Sequence, residues 1–213
     1  MSDNSDYFEI RLPPMREREL TWKHLTEYLQ RYVPDDATVV DVGAGYCGFV
    51  NNVHAQRRYA VDAHSTIEEY ADPGVEVLVG DAARVVSNLP TGSVDLVFAS
   101  NFVEHLDRGQ IGEFLAATRQ VLRPGGRLML LQPNYRKCAS QYFDDYTHVS
   151  VHSDRSLPDL LRSEGLDIVA VDPGLTPLTM KSRASKLSFL VPIYLRLPWR
   201  PLAKQMLVVA SRP

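Results

Sequence analysis

Short apolar runs alternate with amphipathic stretches along most of the chain. Thr38–Val42, Arg58–Val61, Val75–Val79, Val94–Ala99 and Arg127–Leu131 are continuous or nearly continuous in Val, Leu, Ile, Ala and Phe, the pattern of strands buried on both faces. Between them, Phe49–Gln56, Thr66–Tyr70, Ala82–Leu89 and Gly109–Leu122 carry apolar residues at helical spacing or read as helical turns. Upstream, Leu20, Leu25, Tyr28, Leu29 and Tyr32 predict a helix from Met15 to Val33, stopped by Pro34-Asp-Asp. Downstream, a helix over Ser156–Glu164 leads into a strand at Asp167–Val171, and a last strand at Gln205–Ala210 closes the chain. Strand alternating with helix requires crossover connections, which are right-handed and build a mostly parallel sheet. The chain divides into a helical leader (1–37), a core (38–172), a basic and apolar insertion (173–204) and a final strand (205–213), all within one domain.

Val39-Val-Asp-Val-Gly-Ala-Gly-Tyr-Cys-Gly-Phe-Val is a strand, a glycine turn and the start of a helix. Gly43, Gly45 and Gly48 spell G-x-G-x-x-G, and Asp62 follows 19 positions after Gly43 at the end of the next strand. Taken literally this is the dinucleotide fingerprint, so an NAD-dependent oxidoreductase or epimerase is one reading. Asp41 opposes it, because a carboxylate at the mouth of a phosphate site repels a pyrophosphate and suits a cationic ligand.

Asp41, Gly43 and Gly45 also form the [DE]-x-G-x-G motif, and at this point the chain resembles the class I S-adenosylmethionine-dependent methyltransferases of the type 11 kind. Cys47 stands where the family often has a third glycine. Ala60-Val-Asp-Ala, Val79-Gly-Asp-Ala-Ala and the turn Leu122-Arg-Pro-Gly-Gly-Arg-Leu follow in the family's order. The resemblance implies a Rossmann-like, doubly wound α/β sheet of seven strands, mostly parallel with an antiparallel last strand. It implies S-adenosylmethionine as cofactor, held by Asp41, Gly43, Ala44, Gly45, Tyr46, Asp62, Ala63, Asp81, Ala82 and Ser100. In it Asp62 takes the ribose hydroxyls and Asp81 the adenine edge. Taken singly, Asp62 and Asp81 read equally well as helix N-caps.

The loop Ala99-Ser-Asn-Phe-Val-Glu-His-Leu after the fourth strand faces the methyl group in this family. Its Glu104-His105 pair looks like that of small-molecule enzymes, many of them O-methyltransferases. His105 is a candidate general base, Glu104 its companion, and shaping of the pocket is the alternative for both. After the fifth strand, Tyr142, Tyr146 and His148, with Phe143, are candidates to stack on or hydrogen-bond an acceptor such as a sugar. Glu104, His105 and His148 also look like part of the metal site of the small-RNA 2′-O-methyltransferases. That pattern wants another glutamate where Asn101 stands, so no metal is expected. A non-catalytic protein on the same fold is the third reading.

Charge adds an asymmetry to a net −3: residues 1–172 hold all 26 acidic groups and 16 basic ones, while 173–213 hold seven basic groups and no acid. The basic tail suits an anionic partner or is simply a solvated face. Residues 187–202 mix apolar, aromatic and basic side chains. They predict either peripheral membrane contact or packing over the sheet edge or a homodimer partner. The resemblance, including the Lys-Gln-x-x-Val-Val-Ala ending, extends to methyltransferases of polysaccharide and glycolipid assembly, implying a small-molecule or glycan- or glycolipid-type acceptor. Nucleic acid is not expected, given the net charge and the lack of aromatic platforms among the basic residues. Two cysteines make neither a disulfide framework nor a zinc pattern, and the acidic start lacks the features of a secretory leader; a cytoplasmic setting is expected.

Overall fold

A computed structural model describes residues 16–177 and 190–213. The first turn-forming residue of the expected leader helix, Met15, lies outside these, as do residues 187–189 of the apolar and basic stretch and Lys181, Arg183 and Lys186. Seven strands form one sheet in the order β3-β2-β1-β4-β5-β7-β6. They are β1 Thr38–Val42, β2 Arg57–Asp62, β3 Val75–Val79, β4 Val94–Ser100, β5 Leu122–Pro133, β6 Asp167–Pro177 and β7 Ala203–Ser211. The first five pair in parallel, and β7 runs antiparallel between β5 and β6. The fold class is therefore the one expected, antiparallel last strand included.

Successive strand residues point to opposite faces, and the two cores follow that alternation. Val40, Val42, Val97, Ala99, Leu128, Leu130, Met206 and Val208 are buried on one face. There they meet helices α2 (Ala82–Ser87), α3 (Arg108–Val121) and α5 (Ser156–Ser163). Val39, Leu96, Phe98, Met129, Leu131, Leu207 and Val209 are buried on the other, against α1 (Arg16–Leu29) and α6 (Val191–Arg196). A further helix, α4 (Tyr135–Tyr142), follows β5 directly. Among the described residues, no helix is long and apolar enough to cross a membrane.

Three departures from the sequence expectation have local causes. The helix expected over Phe49–Gln56 is instead a run of turns. Gly43, Gly45 and Cys47 all have positive φ (68°, 52° and 56°), so the chain enters the segment in a left-handed conformation that no helix continues. Asn51 and Asn52 then turn their side-chain amides onto the carbonyls of Tyr70 and Gly48 (2.8 and 2.9 Å), offering the backbone an alternative to a helical ladder. Second, Leu122–Leu128 is not a free turn but part of β5. Pairing jumps from Val94–Leu122 to Leu96–Arg127, and Gly125 N–H donates to Arg212 O (2.8 Å) while Arg212 N–H donates to Gly126 O (2.8 Å). Third, α4 was not foreseen, although Asn134 marks its start by accepting from Arg136 N–H (3.2 Å).

The basic tail is partly structural. Arg200 donates to the Asp172 carboxylate (2.6 Å) and to Gly174 O (3.0 Å), and the Arg212 guanidinium holds Leu122 O. Leu195, Val191 and Tyr194 pack with Leu25, Leu29 and Trp22 of α1, while Ile193, Trp199 and Leu202 stay exposed.

Gly48 is where α1 meets the glycine turn. A Cβ there would lie 2.5 Å from the Trp22 ring, which is itself held edge-on to Phe98 (centroids 6.3 Å apart). Gly48→Ala is expected to destabilise the protein by about 1–3 kcal/mol through overpacking, seen in urea unfolding, and to change the near-UV dichroism of Trp22.

Candidate active site

In an open α/β sheet, ligands bind outside the carboxyl ends of the strands where strand order reverses. Here β2 lies on one side of β1 and β4 on the other, so the loops after β1 and β4 part at that point. The loops still touch at their bases: a Cβ on Gly43 would lie 2.7 Å from the Phe102 ring, so only glycine admits this approach.

The cofactor-side candidates all fall at these strand ends. Gly43 and Ala44 N–H both donate to Val61 O (2.9 and 3.1 Å), tying the turn to β2. Asp62 accepts from Gly45 N–H through Oδ2 and from His64 N–H through Oδ1, both at 3.0 Å. A carboxylate has about four acceptor positions, so two backbone donors leave lone pairs for hydroxyls. Ala63 beside it is exposed. Tyr46 stands over the turn, edge-on to Tyr70 (4.7 Å) with the Arg18 guanidinium 5.8 Å from its ring. Asp81 is exposed and caps α2 by accepting from Arg84 N–H (3.0 Å), with Ala82 in the first turn; Asp62 O accepts from Gly80 N–H (2.8 Å) and brings this tip alongside. Ser100 closes β4 and accepts from Asn101 Nδ2 (3.2 Å).

Asp41 differs from expectation. It is 3% exposed and lies beneath the turn, accepting from Val50 N–H (3.2 Å), rather than standing at the mouth. Burial, helped by nearby Asp62 and resisted by the Val50 hydrogen bond, pushes its carboxyl well above the ordinary range. It shapes the turn from below. Cys47, also buried, has its thiol pushed up to about 12 by burial and by Asp41 and Asp62.

The opposite wall is built on the short 3₁₀ turn Val103–His105. Asp107 pins it to α3 in a capping box, exchanging hydrogen bonds with Gln110 (2.9 Å each). The chain returning after α4 docks on the same turn: Val149 and Ser150 N–H share Glu104 O (2.9 and 3.1 Å), and Ser150 Oγ donates to Val103 O (3.0 Å).

His105 is positioned by this returning segment. Thr147 Oγ1 donates to Asp145 Oδ1 (2.6 Å), so it accepts from His105 Nδ1 (2.9 Å), whose N–H is also within reach of Thr147 O (3.2 Å). The imidazole thus carries its proton on Nδ1 and its lone pair on Nε2. Burial and neighbouring His148 lower its pKa, against the pull of Thr147 and Asp145. His148 is fixed in the same sense, Nδ1 donating to Tyr142 O (2.6 Å), and its ring stands 5.0 Å from that of His105. Glu104 is fully buried, and neither carboxylate oxygen has a hydrogen-bond partner. Burial, with a further contribution from Asp145, pushes its carboxyl up to about 8.

Tyr142 is not an acceptor-facing ring. It is fully buried, donates its hydroxyl to Ser150 O (2.7 Å) and packs against Tyr135 and His148 (5.3 and 4.7 Å). Phe143 and Tyr146, 58% and 77% exposed, form the rim. The residues missed from sequence are Thr147, Asp145 and Ser150, whose contacts with the turn after β4 form only when the chain returns. Asn101 holds Gln205 Nε2 through Oδ1 (2.6 Å).

Two observations separate the readings of the glycine turn. A dinucleotide needs a helix N-terminus behind Gly48; here Asn51 N–H on Cys47 O and Val53 N–H on Phe49 O close single helical turns and no continuous helix follows. The sheet also carries β7 antiparallel between β5 and β6, unlike the all-parallel 3-2-1-4-5-6 dinucleotide order. The residues present suit S-adenosylmethionine: Asp62 retains acceptor capacity for hydroxyls, and Asp62 with exposed Asp81 at the neighbouring strand tip suits a cation without phosphate.

Residues 40–130 match the family model described as a methyltransferase domain. No curated protein matches the sequence. Solved structures do. A SAM-dependent methyltransferase of Archaeoglobus fulgidus is 19% identical, with a TM-score of 0.70 over 99% of this chain and 100% of that one. An S-adenosylmethionine-dependent methyltransferase of Mesorhizobium loti is 16% identical, with a TM-score of 0.61 over 87% and 96%. Geranyl diphosphate C-methyltransferase of Streptomyces coelicolor, solved with Mg²⁺, geranyl diphosphate and S-adenosyl-L-homocysteine, is 16% identical, with a TM-score of 0.59 over 89% and 78%. The methyltransferase-domain model thus matches the core of the sheet, and the whole chain shares the fold of these methyltransferase structures.

Proposed function

We propose that the protein methylates a hydroxyl group of a small-molecule or saccharide-containing acceptor. The observation that carries this reading is the fixed tautomer of His105. Thr147 and Asp145 hold its Nδ1 proton, so Nε2 presents a lone pair beside the loop that follows β4. A hydroxyl is a poor nucleophile until its proton has somewhere to go, and an imidazole in this state takes it. A carbon or neutral-amine acceptor sheds its proton only after the methyl has moved, whereas a hydroxyl needs the base during the attack itself.

When bound, S-adenosylmethionine supplies a methyl carbon already activated by its sulfonium, so the protein's task is alignment and release of the acceptor's lone pair. Asp62, held by Gly45 and His64, is the residue that would accept hydrogen bonds from the ribose hydroxyls of the cofactor. His105 Nε2 receives the hydroxyl proton. Thr147 and Asp145 are positioning residues that stabilise the imidazolium formed. Phe143 and Tyr146 offer exposed aromatic faces at the rim, suited to the apolar face of a sugar.

Calorimetry is expected to show S-adenosylmethionine binding in the micromolar range, weakened at least about tenfold by Asp62→Ala through two lost hydrogen bonds. His105→Ala is expected to leave that binding unchanged while lowering turnover by about 10²–10⁴, followed as S-adenosylhomocysteine release across a panel of sugars and phenols. Thr147→Val is expected to lower kcat with little change in KM. A product shown by NMR to carry its new methyl on carbon or nitrogen contradicts the reading.

A further inference from the structure

We propose that the outer side of α6 and the turn from it into β7 dock on an anionic lipid surface, a partner beyond the methyl-transfer reading and independent of it.

The segment around α6 is apolar on two sides. Val191, Tyr194 and Leu195 pack against α1, whereas Leu190, Ile193 and Leu197, also at helical spacing, are exposed. One apolar stripe is enough to dock a helix on its own protein, and the second meets nothing among the described residues. Trp199 and Leu202 continue it, 77% and 79% exposed. Exposed apolar residues are ordinary when scattered singly, but five between Leu190 and Leu202 make a patch of the kind that marks an interaction surface.

The turn that displays them is braced from within. Tyr194 donates its hydroxyl to Pro201 O (2.9 Å), and Arg200 donates to Leu195 O (3.3 Å), Gly174 O (3.0 Å) and the Asp172 carboxylate (2.6 Å). Leu202 has a positive φ of 61°, a backbone conformation that glycine adopts without the steric cost a leucine bears. A leucine that strains the main chain and gains no burial there does nothing for the fold.

Charge selects the partner. From residue 173 onward the chain has seven basic groups and no acid. Arg196 is exposed among the apolar residues, Lys204 donates to the neutral amide of Gln141, and the Lys137 ammonium lies beside Gly174 at the foot of the turn. Asp172, at the same foot, is already taken by Arg200. Aliphatic side chains, an indole and cations without carboxylates suit the headgroup layer: the first enter the acyl boundary, the indole sits at the interface, and the cations meet lipid phosphates. A second copy set on this face would bring the same cations together. β7 begins beside the carboxyl end of β5, with Gln205 opposite Pro133 and its side-chain amide on Asn101 Oδ1 (2.6 Å). The docking face therefore borders the edge of the sheet on which the candidate active site opens.

The test is co-sedimentation of the full chain with vesicles of pure phosphatidylcholine and of equal parts phosphatidylcholine and phosphatidylglycerol. Binding to the mixed vesicles is expected, weakening with added salt, and at least about tenfold weaker on phosphatidylcholine alone. Trp199 emission is expected to shift to the blue on binding, and Trp199→Phe to abolish that shift against the constant background of Trp22. Leu202→Gly, which the left-handed backbone accepts, is expected to keep the urea midpoint at or above that of the wild type while weakening vesicle binding about tenfold. Arg196→Gln is expected to weaken it about fivefold. Absence of sedimentation with the mixed vesicles overturns the proposal, as does binding that Leu202→Gly and Arg196→Gln together leave unchanged. A dimer in analytical ultracentrifugation that the same two substitutions dissociate assigns the face to a second copy and equally overturns it.

Discussion

Because β4 returns to the flank of β1 opposite β2, the backbone leaving these two strands must diverge, and every candidate residue lies on one side or other of that parting. The turn after β1 is drawn toward β2 by Val61 O and Asp62, and the loop after β4 is drawn toward β5 by Asn101 N–H on Leu131 O (2.8 Å). A crevice between two such loops is a consequence of strand order, not of any particular side chain. What the side chains add is a division of labour, with the strand-tip carboxylates Asp62 and Asp81 on the β1–β3 side and the imidazoles His105 and His148 on the β4–β5 side.

Much of this was legible in the sequence, for identifiable reasons. Strands buried on both faces leave continuous apolar runs, and β1, β3 and β4 were placed within a residue of their observed ends. β5 and β6 were underestimated because Pro124-Gly-Gly is held by Arg212 just beyond β7, and the extensions to Pro133 and Pro177 by pairing with β7, which local patterning does not encode. The Phe49–Gln56 helix failed for the opposite reason: apolar spacing was right, but the left-handed backbone at Cys47 and the two asparagines decided the conformation.

The site divides in the same way. Asp62 and Asp81 sit at strand tips, where motif order put them, and Asp81 doubles as the helix cap that was its simpler reading. Asp41 was misplaced because a motif gives position along the chain but not depth, and one hydrogen bond to Val50 is enough to seat it under the turn. Tyr142 misled for a related reason: an aromatic residue in a polar stretch suggests exposure, yet its hydroxyl finds Ser150 O and the ring is enclosed. The pairing of His105 with Thr147 spans 42 positions and depends on how the chain after α4 returns. No local signal carries that distance.

Cys47 carries a last implication. Its left-handed backbone is a conformation that side chains avoid, and its sulfur is sealed among Val50, Ala60 and Ile67. Such a thiol is inert while the turn is closed, since only the thiolate attacks an electrophile. Any modification of it therefore requires the cofactor turn to peel away from the sheet. Oxidative or electrophilic damage at Cys47 is thus a measure of how often this loop opens, and a seated ligand that holds the loop down is also its chemical protection.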